Sequence, residues 1–146
     1  MDPFAEIEVT PLFSKDGMKS QGHSVRIRDD ESWEELGVVS PSYLLVHNTR
    51  VKEVLDEIAE RSKLTDWKQR RLFFDGRRFV YCLSTDSVTA EVSPGDVIRF
   101  GLIAHNSYDG SRALSVGAYA EHLVCLNGMT SDAYFARFVF RHHQGN

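Results

Sequence analysis

Cysteine is scarce: the 146 residues include two, Cys82 and Cys125, each inside an apolar, strand-like run. Two cysteines cannot build a disulfide framework, so buried thiols in a reducing cytoplasm are expected. Proline is rare too, at four residues, and no window approaches the roughly 18 uninterrupted apolar residues of a membrane helix. The first residues, MDPFAEIEVT, are acidic where a secretory leader is basic and then apolar. Neither a membrane partner nor export is expected. Phosphate-cradling glycine loops are missing as well, since neither G-x-x-x-x-G-K-S/T nor G-x-G-x-x-G occurs, and this argues against nucleotide hydrolysis.

What is present is the composition of an ordinary globular chain, 42% hydrophobic and 26% charged, at the length of one domain. The net charge of −4 hides an asymmetry. Residues 1–60 carry 13 acids and 6 bases, whereas residues 61–146 carry 8 acids and 11 bases. The sharpest stretch is 61–78, where seven bases face only Asp66 and Asp75. A polyanion responds to such a local field rather than to the total charge.

Residues 1–23 contain several breakers and read as an N-terminal arm, followed by one α+β domain over 24–146. Strands are expected at 24–28 and 36–40 around the acidic turn DDESWEE. Val51, Val54, Leu55, Ile58 and Ala59 then recur at helical spacing, which predicts a helix over 50–61 capped by Asn48 or Thr49. Beyond it the period changes to two. Asp75-Gly76 joins strands 67–74 and 77–83, Ser93-Pro94-Gly95-Asp96 turns the chain between 88–92 and 97–105, and Asp109-Gly110 leads into 113–126. A strand over 134–141 follows. The expected fold class is α+β: a twisted antiparallel β-sheet of about six strands packed against one main helix, with a C-terminal β-β-β unit. Alternation along 97–105 puts Ile98, Phe100, Leu102 and Ala104 in the core and predicts a wet face bearing Arg99 and His105.

Several chemistries can be weighed on this frame. His122 and Cys125 stand at H-x-x-C spacing, but zinc wants about four converging ligands, and strand residues three apart point to opposite faces. Neither a metal nor a cofactor is expected. A nucleophile elbow is absent, and Asn106, Ser107 and Asp109 are also good turn residues, so the balance is against an enzyme, with the NSYDG turn near His105 as the place for one. For nucleic acid the ingredients are Lys68, Arg70, Arg71, Arg77 and Arg78, with Arg99, Arg112, Arg137 and Arg141, as phosphate contacts. Phe135 and Tyr108 are candidate stacking faces. Arg77 and Arg78 are adjacent on a strand and point oppositely. The competing expectation is that these arginines pair with the acidic N-terminal half.

Four segments carry a family likeness: LGVVSPSYLLVHN at 36–48, HNSYDGSRAL at 105–114, EHLVCLNGM at 121–129 and FVFRHH at 138–143. In this order they resemble the phage/plasmid-like family of uncharacterised proteins, through its L-G-V-V-S-x-x-Y, N-S-x-D-G-S, R-V-V-C-x-N and R-H-T motifs. The motif turn comprises His105, Asn106, Ser107, Asp109 and Gly110, with Asn127 at the end of the following strand. Glu121-His122 stands where the family usually has a basic residue, and His143 replaces the threonine. The resemblance implies a mobile-element origin, and with it the cytoplasm of a bacterial or archaeal host, but no activity. The order of strands also resembles the β-β-β-α unit of single-strand annealing proteins, which form rings around single-stranded DNA. The resulting expectation is a non-enzymatic, homo-oligomeric protein binding single-stranded DNA in recombination or replication. The alternatives are a module that regulates or inhibits a host or viral protein, and an enzyme.

Overall fold

Asp75-Gly76 shows how local chemistry sets the topology. Gly76 takes φ +96°, a left-handed conformation that costs glycine little. The Asp75 carboxylate accepts from the amides of Arg77 (2.9 Å) and Arg78 (2.7 Å), closing the turn. In the computed structural model, which describes residues 1–122 and 133–142, this turn is one of a series that stacks antiparallel strands. The elements are β1 (Ile7–Phe13), β2 (Lys19–Asp29), β3 (Ser32–Val39), α1 (Asn48–Arg61), β4 (Trp67–Phe74), β5 (Arg78–Ser93), β6 (Asp96–Ser107), β7 (Leu114–His122) and β8 (Ala133–Phe140).

The α+β class, the one helix among the described residues and the closing three-strand unit are as expected. The strands divide into two antiparallel sheets, β1-β2-β3 and β4-β5-β6-β7-β8. The added strand lies in the segment expected to be an arm. β1 pairs with β2 from Ile7↔Ile27 to Phe13↔Lys19, and Pro11 coincides with the register shift rather than breaking the strand. Residues 88–92, expected as a separate strand, continue β5 past a register shift between Ser84 and Thr89.

α1 lies on one face of the five-stranded sheet. Val51, Leu55 and Ala59 pack with Phe79, Tyr81, Leu83, Leu102 and Ala104. Full burial of one such aliphatic side chain contributes about 1.5–3 kcal/mol. The Tyr81 hydroxyl donates to Asp56 at 2.6 Å, tying helix to sheet. The cap is His47 rather than Asn48 or Thr49: its Nδ1 accepts from the Thr49 amide at 3.1 Å. Nε2 must then carry the proton, which it donates to the Ala5 carbonyl at 2.8 Å. The Asn48 side chain donates to the Pro3 carbonyl at 2.9 Å, so the first residues are bound to the start of the helix.

A second core joins the two sheets: Val25, Ile27, Leu36 and Val39 enclose Tyr108. The third, Val80, Cys82, Ile103 and Tyr119, lies on the sheet face away from α1. That face therefore differs from the wet one expected. His105 is 6% exposed, and the Tyr119 ring lies so close over Gly101 that a Cβ there would overlap it. Absence of a side chain at 101 lets the neighbouring ring seal the middle of the face. Among the described residues no helix is long and apolar enough to cross a membrane.

Candidate nucleic-acid interface

Strand register sets out the face opposite α1 in rows. One row crosses all five strands as Arg71, Cys82, Ile103, Gly117 and Arg137. The next runs Phe73, Val80, His105, Ser115 and Val139. Small or apolar residues and the buried His105 make the middle, while Arg71, Arg137, Phe73 and Val139 stand exposed on the flanking strands. Four inter-strand steps separate Arg71 from Arg137, roughly 19 Å.

The two ends of this face have different electrostatics. At one end Asp86 meets three cations: Lys68 (3.1 Å), Arg70 (3.3 Å) and Arg99 (2.7 Å). Arg70 also donates to Ser84 at 2.6 Å, and Arg99 to Glu121 at 2.8 Å. Hydrogen bonds, first from Arg99 and then from Lys68, hold the Asp86 carboxyl down at about 2. At the other end is His105, which burial, and after it the nearby guanidiniums of Arg112, Arg137 and Arg71, push down to about 4. It is therefore a neutral imidazole at physiological pH, set among cations.

The motif turn between β6 and β7 builds this second end. Asn106 is fully buried and donates to the Val46 carbonyl (2.7 Å) and to Asn48 Oδ1 (2.9 Å), anchoring the start of the helix. The Tyr108 hydroxyl accepts from the Asn48 amide at 2.9 Å, and burial raises its pKa. Ser107 Oγ accepts from the Arg112 amide (3.0 Å) and donates to the Arg112 carbonyl (2.6 Å). Asp109 accepts from the Ser111 amide at 2.9 Å and faces Arg77 at 3.9 Å. These side chains are committed to shaping the turn. Gly110, at φ +78°, carries the chain round to Arg112.

Against the expected contacts, the structure brings Arg71, Arg112 and Arg137 together around His105 and sets Arg78 beside the turn, with Nε 3.4 Å from Ser111 Oγ. Arg141 follows β8 and is exposed. Lys68, Arg70 and Arg99 are instead held by acids, and Arg77 lies in the turn outside the row. Their partners Asp86, Glu121 and Asp109 belong to the C-terminal half and not to the acidic N-terminal half. Tyr108 is 0% exposed and cannot stack on a base, which corrects the expectation for that ring. The Phe135 side chain, and Asn127 with His143, lie outside the described residues.

Sequence reasoning missed Phe73, 44% exposed in the row beside Arg71. It missed Asp86 too, although a hairpin centred on Asp75-Gly76 brings that acid near Lys68. Tyr43 was also overlooked, and its pairing with His142 was not foreseen. Their rings stack at 4.9 Å, and backbone and side-chain bonds between Leu44 and His142 (3.1 and 2.9 Å) bring the chain after β8 onto the segment before α1. Three of the four segments that carried the family likeness thus meet in space, at Tyr43, Gly110–Arg112 and Arg141–His142.

The architecture is an α+β fold with a cationic sheet face. The family model of a domain of unknown function, DUF932, matches residues 35–146, and the chain belongs to that family. No curated protein and no solved structure shows significant similarity to the chain.

Proposed function

We propose that this protein binds single-stranded DNA on the face of the five-stranded sheet opposite α1. The observation that carries the reading is the row that ends in Arg71 and Arg137 and passes beside His105, with Arg112 in reach of the same imidazole. Guanidiniums neutralise phosphates, and an exposed ring such as Phe73 offers a π-face on which any base can stack, about 1–3 kcal/mol per base. No base-specific constellation is required for such binding. On this reading the chain is a non-enzymatic component of recombination or replication on a phage or plasmid, working in the cytoplasm of its bacterial or archaeal host.

Assembly into a homo-oligomer belongs to the same proposal. Among the described residues β8 is a sheet edge, with Phe138 and Phe140 exposed by 66% and 54%. Between it and α1 runs an apolar groove lined by Val46, Val51, Val54, Leu114 and Val116. Open edges and apolar grooves of this kind pair readily with a second copy.

Fluorescence anisotropy with a labelled oligonucleotide at two salt concentrations tests the binding. Affinity should fall steeply as salt rises, and the log–log slope should flatten by about 0.7 for each phosphate contact removed by Arg71→Ala or Arg137→Ala. Absence of binding at low salt ends the reading. Light scattering with and without DNA tests the assembly.

A further inference from the structure

The meeting point of the three motif segments is a cleft of about 210 Å3 lined by Tyr43, Gly110, Arg112, Ala113, Arg141 and His142. None of these residues is acidic. Asp109, the acid preceding the cleft in the chain, is turned to the Ser111 amide and to Arg77. His142 is 6% exposed, and its Nδ1 lies 2.9 Å from the Leu44 carbonyl. A carbonyl only accepts, so Nδ1 carries the proton and Nε2 is left over. That Nε2 and the Nε of Arg112 are both buried without a hydrogen-bond partner. Buried polar atoms of folded proteins are nearly always satisfied, so these two atoms, in residues lining one cleft, are groups that a bound ligand would satisfy. Tyr43 does not supply the missing bond, because its hydroxyl already donates to the Ser107 carbonyl at 3.0 Å.

We infer that this cleft is a binding site for a phosphomonoester. The guanidiniums of Arg112 and Arg141 supply donors from several directions, which suits a tetrahedral anion with acceptors on every side, and His142 Nε2 adds one acceptor for a P–O–H group. A phosphate that keeps one proton can donate its P–O–H to the His142 Nε2 lone pair while its other oxygens accept from the guanidiniums. The stacked Tyr43–His142 pair and the backbone bridge at Leu44 form one wall. The chemistry is shared by a free nucleotide or inorganic phosphate and by the phosphorylated end of a DNA strand. The inference stands beside the proposed DNA binding and does not depend on it.

Two measurements on the intact chain decide the matter. In the first, inorganic phosphate and adenosine monophosphate are compared with acetate at equal ionic strength for their effect on thermal unfolding. In the second, oligonucleotides with a 5′-phosphate or a 5′-hydroxyl are compared by anisotropy. Both are repeated on R141A, an exposed position, and on H142N, whose amide can keep the bond to Leu44 while losing Nε2. Phosphate should raise the unfolding temperature where acetate does not, and both variants should abolish the effect. A preference of about tenfold for the phosphorylated end, lost in R141A, identifies the strand end as the source. Stabilisation by phosphate or nucleotide without end preference identifies a small molecule. Equal effects of phosphate and acetate together with indifference to the 5′ end overturn the inference, even if the oligonucleotides bind. If no oligonucleotide binds but R141A-sensitive stabilisation by phosphate persists, the cleft stands and the DNA reading falls.

Discussion

Both ends of the five-stranded sheet gather basic residues, with opposite electrostatic outcomes. Around Asp86 the cations Lys68, Arg70 and Arg99 are consumed by carboxylates of the same sheet. Around the β6–β7 turn, Arg71, Arg112 and Arg141 form no ion pair within 4.0 Å among the described residues, and the carboxylate nearby is taken by the turn. A count of basic residues along the chain therefore overstates the first end. Two acids at the right register, Asp86 and Glu121, engage all three bases and offset most of their charge.

The ends also differ in construction, and the largest expected effect follows from that. The turn end rests on buried hydrogen bonds, the Asp86 end on ion pairs that are exposed at Lys68 and half-buried at Arg99 and Glu121. Asn106→Ala leaves the Val46 carbonyl and Asn48 Oδ1 unsatisfied in the interior and should cost about 3 kcal/mol of stability in urea unfolding. A cost similar to that of an exposed ion-pair deletion, a few tenths of a kcal/mol, would show that the network does not hold the turn.

Next comes acidity. His105 binds a proton near 6.5 in the unfolded chain and only near 4 in the folded one. Between those values the unfolded state holds more protons, so stability falls as pH drops, by about 2 kcal/mol from pH 7 to 5. His105→Gln should remove that part of the slope. Asp86 acts in a separate window: the stability it adds is present above 3.8 and is lost only as pH falls toward 2. Equal pH profiles for His105→Gln and the unaltered protein between pH 7 and 5 would break the distinction.

Binding separates the ends at a smaller scale. Arg71→Ala with Arg137→Ala should weaken DNA binding about tenfold at moderate salt, whereas Lys68→Ala with Arg70→Ala should change it by less than about twofold. Smallest is the effect of releasing the quenched end. Asp86→Asn removes the shared carboxylate, and affinity should rise about threefold as the freed Lys68 and Arg70 engage phosphate. A fall in affinity would mean that Asp86 positions these cations for DNA.

Legibility in the sequence follows the range of the interaction. The helix was readable because Val51, Leu55 and Ala59 report a local period. The hairpin at Asp75-Gly76 was readable because turn chemistry is confined to four residues. β1 was not, because its pairing with β2 outweighs the breakers around Pro11 and that pairing is not local. The arginines were legible as residues but not as a surface: Asp86, Glu121 and Asp109 reach them only through strand register. Tyr108 looked like a stacking ring beside a turn. Its burial depends on Val25, Ile27, Leu36 and Val39, more than 60 positions upstream.

By itself the amino-acid order determined the α+β class, the helix, the tight turns and the cationic character of the later strands, since each arises from periodicity or chemistry within a few residues. Only the tertiary structure decided which cations are quenched, that His105 is buried and neutral, and that Tyr43, Arg112, Arg141 and His142 face one cleft. Those outcomes depend on pairings between residues as far apart as Leu44 and His142, which the folding of both sheets brings about and no local pattern encodes.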